Sequence, residues 1–289
     1  MLNVKEKIKE IQEATGLKIS SYKIINRGFE SLIIEVNKKW IFRFPRNQGL
    51  RKKTKERLNY LASFSMVSPL KIPEPKFIEN GFIGYKKIPG KPFYPANFKK
   101  LTEKEKTKTA KQIGLFLKTL HAHKNKRIDF NTGYLVMRKE DYKTPPLTIA
   151  KRLNLDERKA LKAKIGIIAK NPLNFKKPSS IIHGDLNFNN ILWDPEKKSI
   201  TGIIDWAELG LGMPAMDFIM LADFNVKKND KFLKEILKYY GVKGNDLLFQ
   251  IKENAIIDVM NWFWSYHKEK NQKGMARMIG KLKRILAHK

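Results

Sequence analysis

The apolar residues Ile8, Ile11 and Ala14 fall on one face of a helix over residues 5–15, and Gly16 ends the pattern. From Ile19 the period shortens to two. The runs KIINRG, SLIIEV and KWIFRFP alternate apolar and polar positions, with turn residues at Asn26-Arg27-Gly28 and Asn37-Lys38, and predict three hairpin strands. In the third run Trp40, Phe42 and Phe44 share one face and Ile41 and Arg43 the other. The helical period returns over residues 49–64, anchored by Leu50, Leu58, Leu61 and Phe64. After a turn-rich connection over residues 69–75, PKFIENGFIGYKKIPG predicts two more strands around Asn80-Gly81. Pro89 and Gly90 then take the chain out of the sheet.

From Thr102 the pattern is mainly helical. Thr102 and Glu105 have the spacing of a capping box, and Ala110, Ile113, Phe116, Leu117 and Leu120 form the stripe that follows. His121 and His123 stand too close on the helix to share a metal on one face, so a charge or capping role at its end is expected. Residues 124–178 predict a polar loop, a Pro-Pro bend and basic helices around 148–153 and 155–169. Short apolar runs over 191–193 and 200–204 predict a small β pair. Helices beginning near Pro214, over 230–240, over 246–267 and from about 273 complete the chain. The class expected is α+β, with a sheet-rich part over residues 1–88 and a mainly helical part over 89–289.

Composition narrows the chemistry. The 289 residues contain no Cys, which excludes a disulfide scaffold, a thiolate zinc site and a Cys nucleophile. No secretory apolar core follows the first residues and no run reaches the length of a membrane span, so a soluble cytoplasmic protein without a membrane partner is expected. The net charge of +31 comes from lysines spread along the chain, with no basic run interleaved with aromatics. A solvated surface explains it better than a nucleic-acid partner, which is not expected. The acids are less evenly placed. Asp185, Asp194, Glu196, Asp205, Glu208, Asp217 and Asp223 lie close in sequence, against Lys197 and Lys198, and carboxylates so gathered suit a divalent cation.

Residues 180–205 read SIIHGDLNFNNILWDPEKKSITGIID. His183, Asp185 and Asn190 keep the H-x-D-x-x-x-x-N spacing of a protein-kinase catalytic loop, and GIID ends in an Asp where a kinase holds its metal. Phosphoryl transfer needs positioning and neutralisation of charge more than covalent chemistry. Asp185 would accept the proton of an attacking hydroxyl. Asn190 and Asp205 would offer hard oxygens to Mg2+, and His183 would brace the loop. Arg43 is the inward strand cation for phosphates, and Glu56, the one acid of its helix, would pair with it. The backbone of residues 28–31, with Gly28 and the Ser31 hydroxyl, could meet a phosphate. A purine base would pair with backbone groups of Lys86, Lys87 and Ile88, expected to be a strand edge without a partner. Asp217, near a helix start, could bond back to the loop. Glu208, Asp223, Asp258 and Glu253 could line a cleft for a polycation, whereas Trp262 and its aromatic neighbours would suit an apolar acceptor. There is no G-x-x-x-x-G-K-[ST], G-x-S-x-G or H-E-x-x-H motif.

HGDLNFNNILWD, GIIDWAE and PAMDF resemble the phosphotransferase family of antibiotic-modifying kinases, which is related to choline and homoserine kinases. NRGFESLIIEV with WIFRFPRN resembles the branch acting on the 2″-hydroxyl of aminoglycosides. IDWAELGLGMPAMDF also resembles the macrolide kinases. The resemblance runs from about Ile24 to Leu221. It implies a bilobal kinase-like fold and Mg2+-dependent transfer from ATP or GTP to a small-molecule hydroxyl. Asp185 is then the base, Asn190 and Asp205 the metal ligands, and Asp217 structural. Arg43 stands where the family generally has Lys. An aminoglycoside is the expected acceptor. The alternatives are a macrolide or amino-alcohol acceptor, or a non-catalytic kinase fold that binds an anionic partner.

Overall fold

The computed structural model describes residues 3–25, 31–45, 48–79, 81–125, 128, 147–171, 180–222, 230–242 and 246–287. Helix α1 (Val4–Thr15) is capped by Asn3, whose side chain accepts from the Lys5 N–H, and Gly16 ends it at φ 67°. Five strands follow in an antiparallel sheet: β1 (Tyr22–Ile25), β2 (Ser31–Val36), β3 (Trp40–Pro45), β4 (Pro75–Ile78) and β5 (Ile83–Lys86), in the order β1-β2-β3-β5-β4. The β2–β3 turn has positive φ at Asn37 (52°) and Lys38 (55°), and the Lys39 N–H closes it on the Val36 carbonyl at 3.0 Å. That is a mirror-image turn, whose twist suits a hairpin. The turn expected at Asn26-Arg27-Gly28 and the Asn80 position lie outside the described residues.

Alternation along β3 fixes what each sheet face does. Phe42 and Phe44, 0% and 1% exposed, pack with Leu32, Ile34 and Phe82 under Ile11 of α1. Ile41 joins Ile83 and Tyr85 in the cluster on the opposite face. Each buried aromatic contributes roughly 1.5–3 kcal/mol, so a slip of one residue, which would turn both rings outward, is strongly disfavoured. The register that buries Phe42 and Phe44 therefore also turns Arg43 inward, as the alternation predicts.

Helix α2 (Gln48–Phe64) packs Leu58, Leu61 and Phe64 into that inner cluster. The same cluster continues into the helical part of the chain through Phe116, Leu117, Ile191 and Trp206. Beyond the sheet, β6 (Lys91–Pro92) and α3 (Pro95–Lys99) lead to α4 (Glu103–Ala122). The α4 capping box is as expected: the Thr102 side chain accepts from the Glu105 N–H at 3.3 Å, and Glu105 accepts from the Thr102 N–H at 2.8 Å. Helices α5 (Leu147–Ala150) and α6 (Leu155–Lys170) precede β7 (Ser180–Ile182), β8 (Ile191–Asp194) and β9 (Ser199–Ile203). A 3-10 turn (Trp206–Glu208), β10 (Gly210–Gly212), α7 (Ala215–Ala222), α8 (Asp230–Tyr240), α9 (Asp246–Lys268) and α10 (Gln272–Leu286) follow. β8 and β9 form the expected antiparallel pair, with β6 added to it, and β10 pairs with β7. The pairings of β6 and β10 are invisible to periodicity because each strand is two or three residues long. Among the described residues no helix is long and apolar enough to cross a membrane.

One expectation about the sheet needs correcting. β5 lies between β3 and β4, but its pairing with β4 ends where Pro75 faces Tyr85, so beyond Tyr85 its strand partner is on the β3 side alone. Lys86 sits opposite Trp40, and the Lys87 N–H already donates to the Lys39 carbonyl at 2.8 Å. The Lys87 side chain pairs with Glu35 at 2.9 Å, and Ile88 is buried.

Candidate active site

The chain turns sharply after β7, and Gly184 takes φ 82°, a left-handed conformation that suits glycine. His183, fully buried, braces this loop as expected. Its Nδ1 accepts from the Asp185 N–H at 3.2 Å, and its Nε2 lies 3.1 Å from the Ile204 carbonyl. An amide can only donate and a carbonyl can only accept, so the ring is neutral with its proton on Nε2. The Ile204 N–H in turn donates to the Asn190 carbonyl at 2.9 Å. Both backbone groups of the residue before Asp205 are thereby tied to the loop.

Asp217 holds the loop from below. Its carboxylate, 1% exposed, accepts from the His183 N–H at 2.8 Å and the Gly184 N–H at 2.9 Å, the bond back to the loop that its place near a helix start suggests. His121 Nε2 lies 3.0 Å from the same carboxylate. Burial alone would raise the Asp217 pKa, but the hydrogen bonds from His121 and from the His183 backbone carry it below the ordinary aspartate value. His121 is therefore not a solvated helix-end charge. With its side chain 3% exposed, it is a buried partner of Asp217, because the end of α4 lies against α7 and not in solvent.

The Asp185 carboxylate is held by two amides. Asn187 Nδ2 donates to Oδ1 at 2.8 Å, and Asn190 Nδ2 donates to Oδ2 at 3.0 Å and to the Asp185 carbonyl at 2.8 Å. Burial raises the Asp185 pKa and the Asp205 charge adds to it, while the bonds from Asn187 and Asn190 pull the other way. The net rise makes the carboxylate a better proton acceptor.

Asp205 is a non-glycine residue at φ 63° and ψ 68°, a conformation that Asp tolerates better than most side chains. Its Oδ1 accepts from Arg43 Nη2 at 3.0 Å. Arg43 also bonds to Tyr85, its diagonal neighbour across β3 and β5, where Ile41 faces Tyr85 and Arg43 faces Ile83. This corrects the expected Glu56 pairing. Among the described residues the ion pair of Arg43 is with Asp205, and Glu56 is half-buried on α2. Guanidinium reach and its fork of donors let one side chain serve Tyr85 and Asp205 together. The neighbour of Glu56, Arg57, ties α2 to the site region by donating from Nε to the Leu209 carbonyl at 3.1 Å. Ser31 and Arg43 share the wall of a cavity of ≈ 50 Å³ with Arg57, Tyr85, Trp206 and Ala207. Gly28 lies outside the described residues.

A divalent cation fits the oxygens present. The Asp205 carboxylate is 41% exposed, and Asn190, with Nδ2 turned to Asp185, has its amide oxygen as a hard donor. Among the described residues no cluster of three His, Cys, Asp or Glu could hold a metal by itself. Mg2+ suits a pair of this kind, because it is commonly held by one or two protein oxygens together with substrate phosphates and water.

The residues expected on the acceptor side are less well gathered. Asp258 does not face an open cleft: it is 4% exposed on α9 and lies 3.7 Å from Lys281 of α10. Glu253 is also buried and accepts from Asn171 at 2.9 Å. Five residues apart, the two acids point about 140° apart around α9, and both are buried because the helix packs on more than one side, against α7 and α10. Trp262 is half-buried and stacks on Tyr266 at 5.8 Å, so it packs beside the α9–α10 core. Glu208 is half-buried in the 3-10 turn just beyond Asp205. Asp223 lies outside the described residues.

Four contributors are not legible from the loop motif. Asn187 had a signal, since an Asn two residues after an Asp favours a local turn. Tyr85 could be found from strand alternation once the β3–β5 pairing is known. His121 and Tyr240 meet only through the packing of α4 on α8.

Comparison with known proteins agrees with this geometry. Residues 21–249 match the phosphotransferase enzyme family. The chain is 33% identical over 69 residues to viomycin phosphotransferase of Streptomyces vinaceus, covering 23% of each chain. It is also 33% identical over 76 residues to the uncharacterised protein YcbJ of Bacillus subtilis (strain 168), covering 26% of this chain and 24% of that one. The alignments thus span about a quarter of the length of these curated relatives. In fold the likeness extends over nearly the whole chain. The GDP complex of a wild-type aminoglycoside 2'-phosphotransferase-IIIa superposes with a TM-score of 0.81 at 19% identity, covering 99% of both chains. The apoenzyme of macrolide 2'-phosphotransferase MphH from Brachybacterium faecium gives 0.68 at 15% identity, covering 98% of this chain and 99% of that one. With the catalytic-loop geometry, a kinase-like fold and a family match over most of its length, the chain belongs to the phosphotransferase enzyme family.

Proposed function

We propose that this protein is a small-molecule kinase that transfers the γ-phosphate of ATP or GTP to a hydroxyl of an antibiotic, most specifically an aminoglycoside. The observation that carries the reading is the Asp185 carboxylate, fixed by Asn187 and Asn190 and raised in pKa by burial. A base so held can accept the acceptor's hydroxyl proton as the oxygen attacks phosphorus. The nucleotide would lie between the sheet-rich part, residues 1–88, and the helical part, 89–289. Arg43 and the Ser31 hydroxyl would meet its phosphates, and the backbone near Lys86 and Ile88 its base. Asn190 and Asp205 would hold Mg2+, which supplies charge neutralisation at the phosphates. Glu208 and Asp223 are the acids left to meet a cationic acceptor. The reading places the protein in the cytoplasm, where nucleoside triphosphates are available.

The test is turnover with Mg2+, ATP or GTP, and separate panels of aminoglycosides, macrolides and amino alcohols. Phosphorylation of an aminoglycoside hydroxyl is expected. Turnover confined to a macrolide or an amino alcohol would move the acceptor class. Absence of both nucleotide binding and turnover would overturn the reading.

A further inference from the structure

A buried chain of polar groups reaches the catalytic loop from behind. His121 Nε2 lies 3.0 Å from Asp217 Oδ2, and His121 Nδ1 lies 3.0 Å from the Tyr240 hydroxyl. Asp217 in turn accepts from the backbone of His183 and Gly184, immediately before Asp185. An ionised carboxylate only accepts, so Nε2 carries a proton, and a neutral ring then accepts the Tyr240 hydroxyl at Nδ1. Burial, with the Asp217 charge, pushes the Tyr240 pKa up to about 12, which keeps the phenol protonated as this arrangement needs. The rings are packed as well as bonded: Phe218 lies edge-on to Tyr240 at 5.2 Å and to His121 at 6.1 Å.

The contact depends on how closely α4 and α8 approach. A Cβ on Gly114 would sit 2.5 Å from the Ile236 carbonyl oxygen, 2.8 Å from Tyr239 Cβ and 3.0 Å from the Tyr240 nitrogen. Backbone cannot give way as a flexible side chain can, so only a residue without Cβ lets α8 come near enough for Tyr240 to reach His121.

We propose that His121 and Tyr240 are positioning residues, which set the catalytic loop through Asp217 and so link the placement of Asp185 to the packing of α4 on α8. Neither touches a reacting atom. Removing the Tyr240 hydroxyl lets the imidazole turn, and removing the imidazole takes one of three donors from a buried carboxylate. In either case the His183 and Gly184 amides are held less firmly. The kinetic part of the proposal rests on the phosphotransfer reading. The structural part does not.

The experiment compares wild type with Tyr240→Phe, His121→Leu, His121→Gln and Gly114→Ala by amide hydrogen exchange and by steady-state kinetics. Exchange in the segment spanning residues 180–190 should accelerate about tenfold or more in Tyr240→Phe and His121→Leu, a local loss of about 1.4 kcal/mol. Exchange in β2 and β3 should stay as in wild type. kcat should fall about tenfold with the nucleotide KM nearly unchanged, the split expected when an interaction acts on chemistry and not on binding. His121→Gln, whose amide can still donate to Asp217, should recover part of both losses, and Gly114→Ala should reproduce the Tyr240→Phe pattern. Unchanged exchange over residues 180–190, or equal acceleration along the whole chain, would overturn the proposal. Should His121→Leu not fold, Tyr240→Phe decides. Should wild type show no turnover, the function reading fails and the exchange result alone decides the positioning role.

Discussion

Arg43 on β3 and Asp205 beyond β9 meet at 3.0 Å between Nη2 and Oδ1, and Tyr85 also interacts with the guanidinium. The pair joins the strand that would neutralise phosphates to the carboxylate that would hold their metal. The side chains are 19% and 41% exposed, so solvent screens the attraction in part and geometry is the firmer conclusion. Arg43→Ala should weaken ATP or GTP binding by about 10–100-fold, the scale of one lost hydrogen bond to a charged group. Arg43→Lys should fall between, since Lys keeps the charge but cannot fork to Tyr85 and Asp205 together. Calorimetric titration measures both. An Arg43→Ala variant with wild-type nucleotide affinity would remove Arg43 from the phosphate site.

Asp185→Asn should lower kcat by about 10²–10⁴-fold while the nucleotide KM changes little, because it removes a general base and leaves the nucleotide's contacts in place. The pH profile offers an independent check. Burial raises the Asp185 pKa, so the basic form is lost as pH falls through a value above the ordinary aspartate pKa of about 3.9. Wild-type kcat should therefore rise with pH through an apparent pKa above that figure. A profile flat down to the ordinary value would count against Asp185 as base.

Asp217 carries a prediction of opposite sign. Its pKa is lowered in the folded protein, so it contributes stability above the ordinary carboxylate range. That contribution is lost as pH falls below this range through the lowered folded value. Asp217→Ala should cost about 3–5 kcal/mol in urea unfolding at neutral pH, since it leaves buried donors unpaired. The difference from wild type should shrink as the solution is acidified. A constant difference down to low pH would show that charge is not what Asp217 contributes.

Gly184→Ala tests the turn that presents Asp185. At φ 82° an alanine would cost about 1–2 kcal/mol, or the loop would shift to relieve it. Thermal unfolding should show the loss, and kcat should fall further than stability alone explains. A variant with wild-type kcat would mean that the loop accepts a side chain at this position.

What was legible follows from the range of each interaction. The outer and inner faces of β3 can be read from Trp40, Phe42 and Phe44 against Ile41 and Arg43, because strand alternation is a property of consecutive residues. The Thr102–Glu105 box and the brace at His183 are likewise local, each closing over a few residues or within one loop. Asp217 could be expected to bond back to the loop because its place near a helix start is a sequence feature. The substrate side was harder to read. Asp258 looks like an available acid in sequence, yet the turn into α10 brings Lys281 to it and buries both.

By itself the sequence determined the candidate loop over residues 180–205, the strands before it and the inward turn of Arg43, since spacing and period carry that information. Tertiary structure decided the partners. The sequence pointed to Glu56 as the partner of Arg43, and the meeting of β3 with the loop after β9 selects Asp205 instead. The pairing of β5 with β3 runs on to Lys86 and leads the Lys87 N–H, expected to be without a partner, onto the Lys39 carbonyl. His121 and Tyr240 become neighbours because Gly114 lets two helices close upon each other, a contact between residues 119 positions apart that no local period encodes.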